Sequence, residues 1–269
     1  MKRLLINVFS ILGIVSFFFL SSCKKKEIDN TVTSSEYLTV EKKNMSFIQK
    51  YSGTWCEPCG GWGFTQFSSL YSQFGSTEAF GAVVSGGMGV ANNEEVFTAT
   101  QQMYGSSLTG TPNFMCNFSV VQATQSLILN HRNSTVIANS NYELTVNQND
   151  LSIKTTTQFF QSTEGKEYYL FPYVIVDGIK ANQSGHDDGA NTIHKMTIVD
   201  VAKPMNLELA SYSGYKVAEG KIAEGYKFNL AFKAPRNSAW ASDKISIVLV
   251  IAYKEANGKF KFVNSYTKH

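Results

Sequence analysis

Cys56 and Cys59 stand two residues apart in Trp55-Cys56-Glu57-Pro58-Cys59, within a chain of 269 residues that holds only four cysteines. Cysteines at this spacing can exchange a disulfide with a partner, supply half of a zinc site, or close a static staple. Exchange has a physical basis where the pair heads a helix, because free amide hydrogens and the positive end of the helix dipole favour a thiolate on the first sulfur. Cys56 would then attack a partner, and Cys59, one turn deeper, would displace that partner and close the internal disulfide. A zinc site needs further ligands, yet there is no second Cys-x-x-Cys and the four histidines lie far off in sequence. Exchange centre and staple both stay open at this level.

The elements that must position the pair can be read around it. Ser46-Phe-Ile-Gln-Lys-Tyr51 predicts a short strand, and Pro58 sits where proline favours the first turn of a helix. Phe64, Phe67, Leu70, Tyr71 and Phe74 recur at helical spacing, and Gly75 closes the segment. "AFGAVVS" predicts a second buried strand, followed by a helix from Asn92 or Asn93, with Glu94 and Glu95 in its first turn, to about Tyr104 and Gly105. "NFMCNF" predicts a third strand, and a helix is expected from about Val120 to Asn130, extending toward Ala138. From Asn141 the texture changes. "YELTVNQ", "LSIKTTTQFF", "YYLFPYVIVD", "TIHKMTIVDVA", "YKFNLAFKA", "ISIVLVIAYK" and "FKFVNSY" are strand-like runs separated by Asn149-Asp150, Glu164-Gly165 and Asn257-Gly258. They predict an all-β antiparallel sandwich over residues 141–269, with a domain boundary near residue 140.

The compartment decides what the cysteines meet. Lys2 and Arg3 precede an apolar run from Leu4 to Leu20 that ends in Ser21-Ser22-Cys23, a secretory signal layout. Leu20-Ser21-Ser22-Cys23 resembles the lipobox of bacterial lipoproteins, which implies a signal peptide over residues 1–23 and a lipidated Cys23; an uncleaved membrane helix is the other reading of the run. Either one holds the rest of the chain outside the cytoplasm. Lipidation of Cys23 leaves Cys56, Cys59 and Cys116, or one pair and one leftover thiol. Cys116, inside "NFMCNF", is expected to be buried and inert. Residues 24–43 are polar and charged and suit a flexible tether. The formal net charge is +3, and removal of Lys2 and Arg3 leaves 22 basic against 21 acidic residues, so no nucleic-acid partner is implied.

The order strand, Trp55-Cys-Glu-Pro-Cys59, helix, strand, helix, then Gly110-Thr111-Pro112 entering a strand, resembles the thioredoxin fold. The resemblance implies an α/β thioredoxin-like domain over residues 44–140, with Cys56 and Cys59 as its catalytic pair and their disulfide as its oxidised form. It also implies a cis peptide at Pro112, with Thr111 presenting backbone groups to an extended partner chain. Trp55, Glu57, Pro58 and Thr111 would line the docking surface, although a core-packed Trp55 is an equal reading. One departure stands out: thioredoxins carry a buried acid six residues before the first cysteine, and this chain has Lys50 there. Pointing inward, Lys50 would favour thiolates; pointing outward, it would do nothing.

Beyond the thioredoxin pattern, the chain resembles a family of Gram-negative outer-membrane lipoproteins typified by the twenty-eight-kilodalton Omp protein. "FIQKYSGTWCEPCGG", "GTPNFMCN", "YYLFPYVIVDGIKANQSGHDDGANTIHKMTIVDVA" and "SAWASDKISIVLVIAYKEANGKFKFVNSYTK" carry this resemblance. It implies a lipid anchor in the outer membrane, facing periplasm or cell surface; Trp55-Cys-Glu-Pro-Cys59 with Thr111-Pro112 adds the expectation of protein thiols or disulfides of the cell envelope as partners, and no cofactor is expected. The alternative is a non-catalytic surface-binding or structural lipoprotein, adhesin-like, with a structural disulfide. "QSGHDDGANTIH" also invites a metal reading through His186, Asp187, Asp188 and His194. Calcium loops need more oxygen ligands at regular spacing, so the loop is expected to be a solvated turn without metal, and His194 a hydrogen-bonded strand residue at a domain junction.

Overall fold

A computed structural model describes residues 36–90, 92–208 and 211–269; the signal segment, Cys23 and most of the expected tether lie outside them. The strand ahead of the cysteines is β1 (Phe47–Gly53), and the helix that follows comes in two pieces, α1 (Glu57–Gly60) and α2 (Trp62–Phe74). Then come β2 (Ala79–Ser85), α3 (Asn93–Tyr104), β3 (Asn113–Cys116) and α4 (Gln125–Arg132). The remainder is strand: β4 (Ala138–Val146), β5 (Asp150–Phe159), β6 (Thr163–Val176), β7 (Ile179–Ala181), β8 (Thr192–His194), β9 (Thr197–Val201), β10 (Lys203–Pro204), β11 (Tyr215–Ile222), β12 (Lys227–Pro235), β13 (Ile245–Lys254) and β14 (Phe260–Tyr266).

Three local expectations change. The helix expected from Val120 toward Ala138 is only α4, because Thr124 caps it by accepting from the Leu127 amide and Asn133 ends it. The run 192–202 is two strands, broken where Met196 takes a positive φ of 51°. Gly165, at φ +69°, lies inside β6 rather than at a turn between strands.

The main sheet is mixed, in the order β14-β13-β6-β9-β2-β1-β3, with β11 also paired to β6. Within it β1 and β2 run parallel, β3 is antiparallel to β1, and β9 runs parallel to β2 on its other side. The boundary expected at residue 140 therefore does not separate two sheets: strands from residues 163–266 continue the sheet that β1 to β3 begin. The reason is visible in β2, all seven residues of which are buried, a pattern that demands a strand on each side. A second, antiparallel sheet in the order β10-β12-β5-β4 packs on the extension. Phe159 meets Tyr168 with ring centroids 4.9 Å apart, Tyr215 meets Phe232 at 5.8 Å, and Tyr142 meets Tyr266 at 6.0 Å. One core runs through both sheets.

The main sheet curls far enough for its last strand to reach the entry of β1. Met45 donates its amide to Asn264 Oδ1 at 2.8 Å, and Ser265 Oγ donates back to the Met45 carbonyl at 2.8 Å. Residues 36–43, expected to be tether, lie against the second sheet: the Leu38 amide donates to Thr156 Oγ1, and the Asn141 and Asn139 side chains donate to the carbonyls of Thr39 and Glu41. Among the described residues no helix is long and apolar enough to cross a membrane.

Candidate functional site

Strand β1 delivers the chain to the cysteines at its C-terminal end. A disulfide joins Cys56 to Cys59, with Cα atoms 5.2 Å apart. Cys56 is the N-cap of α1, and the Cys59 amide points at its sulfur across 3.2 Å. That N–H would stabilise negative charge on Cys56 once the disulfide opens. The sulfurs differ in access: Cys56 keeps a small exposed edge, whereas Cys59 is fully buried. Only the first can be met by a partner.

The Thr111–Pro112 peptide is cis, and the Thr111 carbonyl oxygen stands 3.5 Å from Cys56 Sγ. Gly63 on α2 makes this approach feasible, since a Cβ there would come within 2.7 Å of Pro112 Cγ. Glu57 and Pro58 are exposed. Trp55 is also exposed, at 62 %, its ring lying flat across Gly53, so it is no core residue. Trp62 adds a second exposed ring, tilted toward Phe114 at 6.2 Å. Exposed aromatic rings near the cysteine turn suit contact with another chain.

Lys50 points inward. It is 3 % exposed, with Nζ 5.3 Å from the centroids of both Phe64 and Phe67 of α2, and no ion pair among the described residues includes it. Burial pushes its amine down to about 8. His194 on β8 is buried too, with Nε2 lacking a hydrogen-bond partner. Burial first, and the Lys50 charge second, hold its imidazole down at about 4, against support from the Asn182 and Ala181 backbone.

The loop between β7 and β8 departs from the solvated turn expected of it. Gln183 is 1 % exposed and its side chain reaches the cysteine turn, while Ser184 donates its amide to the Thr54 carbonyl at 2.7 Å. His186 stands on the edge of Phe64, at 4.2 Å between centroids, and its Nδ1 accepts from the Asp188 amide. Among the described residues no group of three or more His, Cys, Asp or Glu side chains gathers to hold a metal. Sequence reasoning missed Gln183 because it lies 127 residues from Cys56. The glycines that admit it, Gly60 and Gly185, were the available signal.

Cys116 is the free thiol among the described residues, buried in β3, and burial together with the Glu78 carboxylate pushes it up to about 12. In the folded, oxidised protein at neutral pH it is expected to resist alkylation and to react only on unfolding. Mass spectrometry after iodoacetamide treatment checks this, and rapid labelling of the native state would contradict it.

No protein-family model matches the chain, and no curated protein matches it. Among solved structures, HBP35 of Porphyromonas gingivalis superposes with a TM-score of 0.62 over 86% of this chain and 76% of that one, at 15% identity. A domain of the outer membrane lipoprotein Omp28 from Porphyromonas gingivalis, at 7% identity, covers 49% of this chain and 86% of that one with a TM-score of 0.27, too low to carry an argument. The likeness to HBP35 is one of fold, mostly β with mixed and antiparallel sheets.

Proposed function

We propose that the chain is an extracytoplasmic lipoprotein, anchored through Cys23, with a thioredoxin-like site that exchanges thiols and disulfides with envelope proteins through Cys56 and Cys59. The observation that carries the reading is the asymmetry of the pair. Cys56 alone reaches the surface, between the Cys59 amide and the Thr111 carbonyl, while Cys59 waits behind it, fully buried.

In the reduced form the Cys56 thiolate attacks one sulfur of a partner disulfide. A Cys56–partner bond forms, the partner's own S–S bond breaks, and the leaving thiolate takes a proton from solvent. Cys59 then gives up its proton and attacks Cys56 Sγ, which closes the internal disulfide and expels the second partner thiolate. The partner has gained two electrons and this pair has lost two; the reverse sequence oxidises a partner dithiol. The Thr111 backbone supports an extended partner strand at the site, and Trp55 and Trp62 offer it apolar contact.

Cys59→Ser is expected to arrest the reaction at the mixed disulfide. Envelope proteins bound to the variant should appear on non-reducing gels and vanish with reductant, and the wild-type chain should reduce insulin above background. If no protein is captured and insulin reduction stays at background, the exchange reading falls. The burial of Cys59 equally favours a second reading, a surface-binding or structural lipoprotein whose disulfide stiffens one turn. A reduction potential below about −300 mV would assign the pair to that reading.

A further inference from the structure

We infer that Gln183 is a positioning residue of the redox pair, an amide that reaches in from the second half of the chain and sets the equilibrium between disulfide and dithiol. The inference deepens the thiol-exchange reading and uses its site, but that equilibrium is measurable whether or not a partner is ever turned over.

Gln183 Nε2 lies 3.1 Å from the carbonyl oxygens of Gly53, Cys56 and Ser184, and 3.4 Å from that of Thr54. Four acceptors around one NH2 fix the amide's orientation, since Oε1 turned into that cage would meet only lone pairs. Three of the four carbonyls belong to the turn that carries Cys56. The contact is also built backbone to backbone. A Cβ on Gly60 would press on the Ser184 carbonyl and stand 2.7 Å from the His186 amide nitrogen; one on Gly185 would press on the Glu57 carbonyl and stand 2.8 Å from Glu57 Cγ. Gly185 also sits at φ +74°, where a side chain is disfavoured. At Gly60 and Gly185 neither glycine has a side chain to hold the two backbones apart.

A turn held this way keeps the two sulfurs near one another after the disulfide opens. Their effective concentration stays high, and the disulfide is favoured over the dithiol. Loss of the amide leaves the reduced turn freer and makes the disulfide easier to reduce. A residue that merely supports the fold would weaken both redox states alike and leave the equilibrium where it was.

The test is the thiol–disulfide equilibrium constant of the full chain against glutathione, with folding of each variant checked by circular dichroism. Gln183→Leu, of similar volume but without a donor, is expected to shift the constant toward the dithiol by about tenfold, which is about 30 mV for two electrons. A shift of less than about threefold in folded Gln183→Leu overturns the inference. If that variant does not fold, Gln183→Asn decides, because it keeps the amide but withdraws it by one methylene. A shift of about threefold or more toward the dithiol supports the inference, and a smaller one overturns it. Should Cys59→Ser capture no partner and insulin reduction stay at background while these shifts appear, the exchange reading falls and the positioning role stands.

Discussion

Arg132→Met is expected to lower the stability of the fold by about 3 kcal/mol. Glu78 is 1 % exposed and lies immediately before β2. Its Oε2 accepts the Ser46 amide at 2.6 Å, just ahead of β1, and its Oε1 accepts Arg132 Nη2 from the last turn of α4. One carboxylate thus ties together the entries of the two parallel strands and the last turn of α4. Without the guanidinium it stays buried with a single neutral donor, and an unpaired buried charge costs several kcal/mol. Arg132 is 35 % exposed, so solvent takes up part of the loss and keeps it near the lower end of that range. Adding Glu78→Gln removes the charge and is expected to recover most of the stability. Urea unfolding of both variants, read as a shifted midpoint at unchanged slope, checks this. A loss below about 1 kcal/mol would show the pair to be screened. The cysteine pair is expected not to respond, since it lies at the opposite end of β1, about 20 Å away.

How much of this site could be read from the residues depends on how local each feature is. The strand, the cysteine turn and the helix behind it were legible because Phe64, Phe67, Leu70 and Phe74 repeat at 3.6 residues and Pro58 marks the helix start. The direction of Lys50 was not. Alternation tells inside from outside only where one face of a strand is wet, and every residue of β1 is buried. Sheet continuity was hidden for a related reason. β9 pairs with β2 through Ala82 and Thr197, and nothing in either short apolar run specifies its neighbour across such a separation. Gln183 lay in a loop rich in Gly, Asp and Asn, where composition argues for solvent; what draws it in is the set of three carbonyls of the cysteine turn, which is a tertiary fact.

These two features flank the cysteine pair. The strand ahead of it carries a buried cation where the thioredoxin resemblance implied a buried acid, and the loop beside it comes from beyond the expected boundary at residue 140. Residues on both sides of that boundary build the site, so truncation near it would remove Gln183 and His194 together and take from the Gly53 and Cys56 carbonyls the Gln183 amide, and from the Thr54 carbonyl the Ser184 amide.

Lys50→Met is expected to raise stability at pH 7 by about 2 kcal/mol. The folded value of Lys50 is about 8, against 10.5 ordinarily, and burial is the cause. Below pH 8 the amine is protonated in both states, and the folded state bears the whole cost of holding the ion out of water. Between pH 8 and 10.5 the unfolded chain keeps a proton that the folded chain has released, so stability rises with pH. Above 10.5 both states are neutral and the cost is gone. The gap between the two values corresponds to on the order of 3 kcal/mol, and the ring contacts with Phe64 and Phe67 offset about 1 of it. Methionine fills the same space between those rings without a charge. Unfolding free energies of the wild-type chain and the variant should therefore differ most near pH 7 and converge as the pH approaches 10.5. His194, the neighbouring base, is held at about 4 and stays neutral across that window, so it leaves the difference untouched. A variant less stable than wild type at pH 7, or a difference that ignores pH, would show that Lys50 is solvated or paired in solution and that its cation is no burden on the fold.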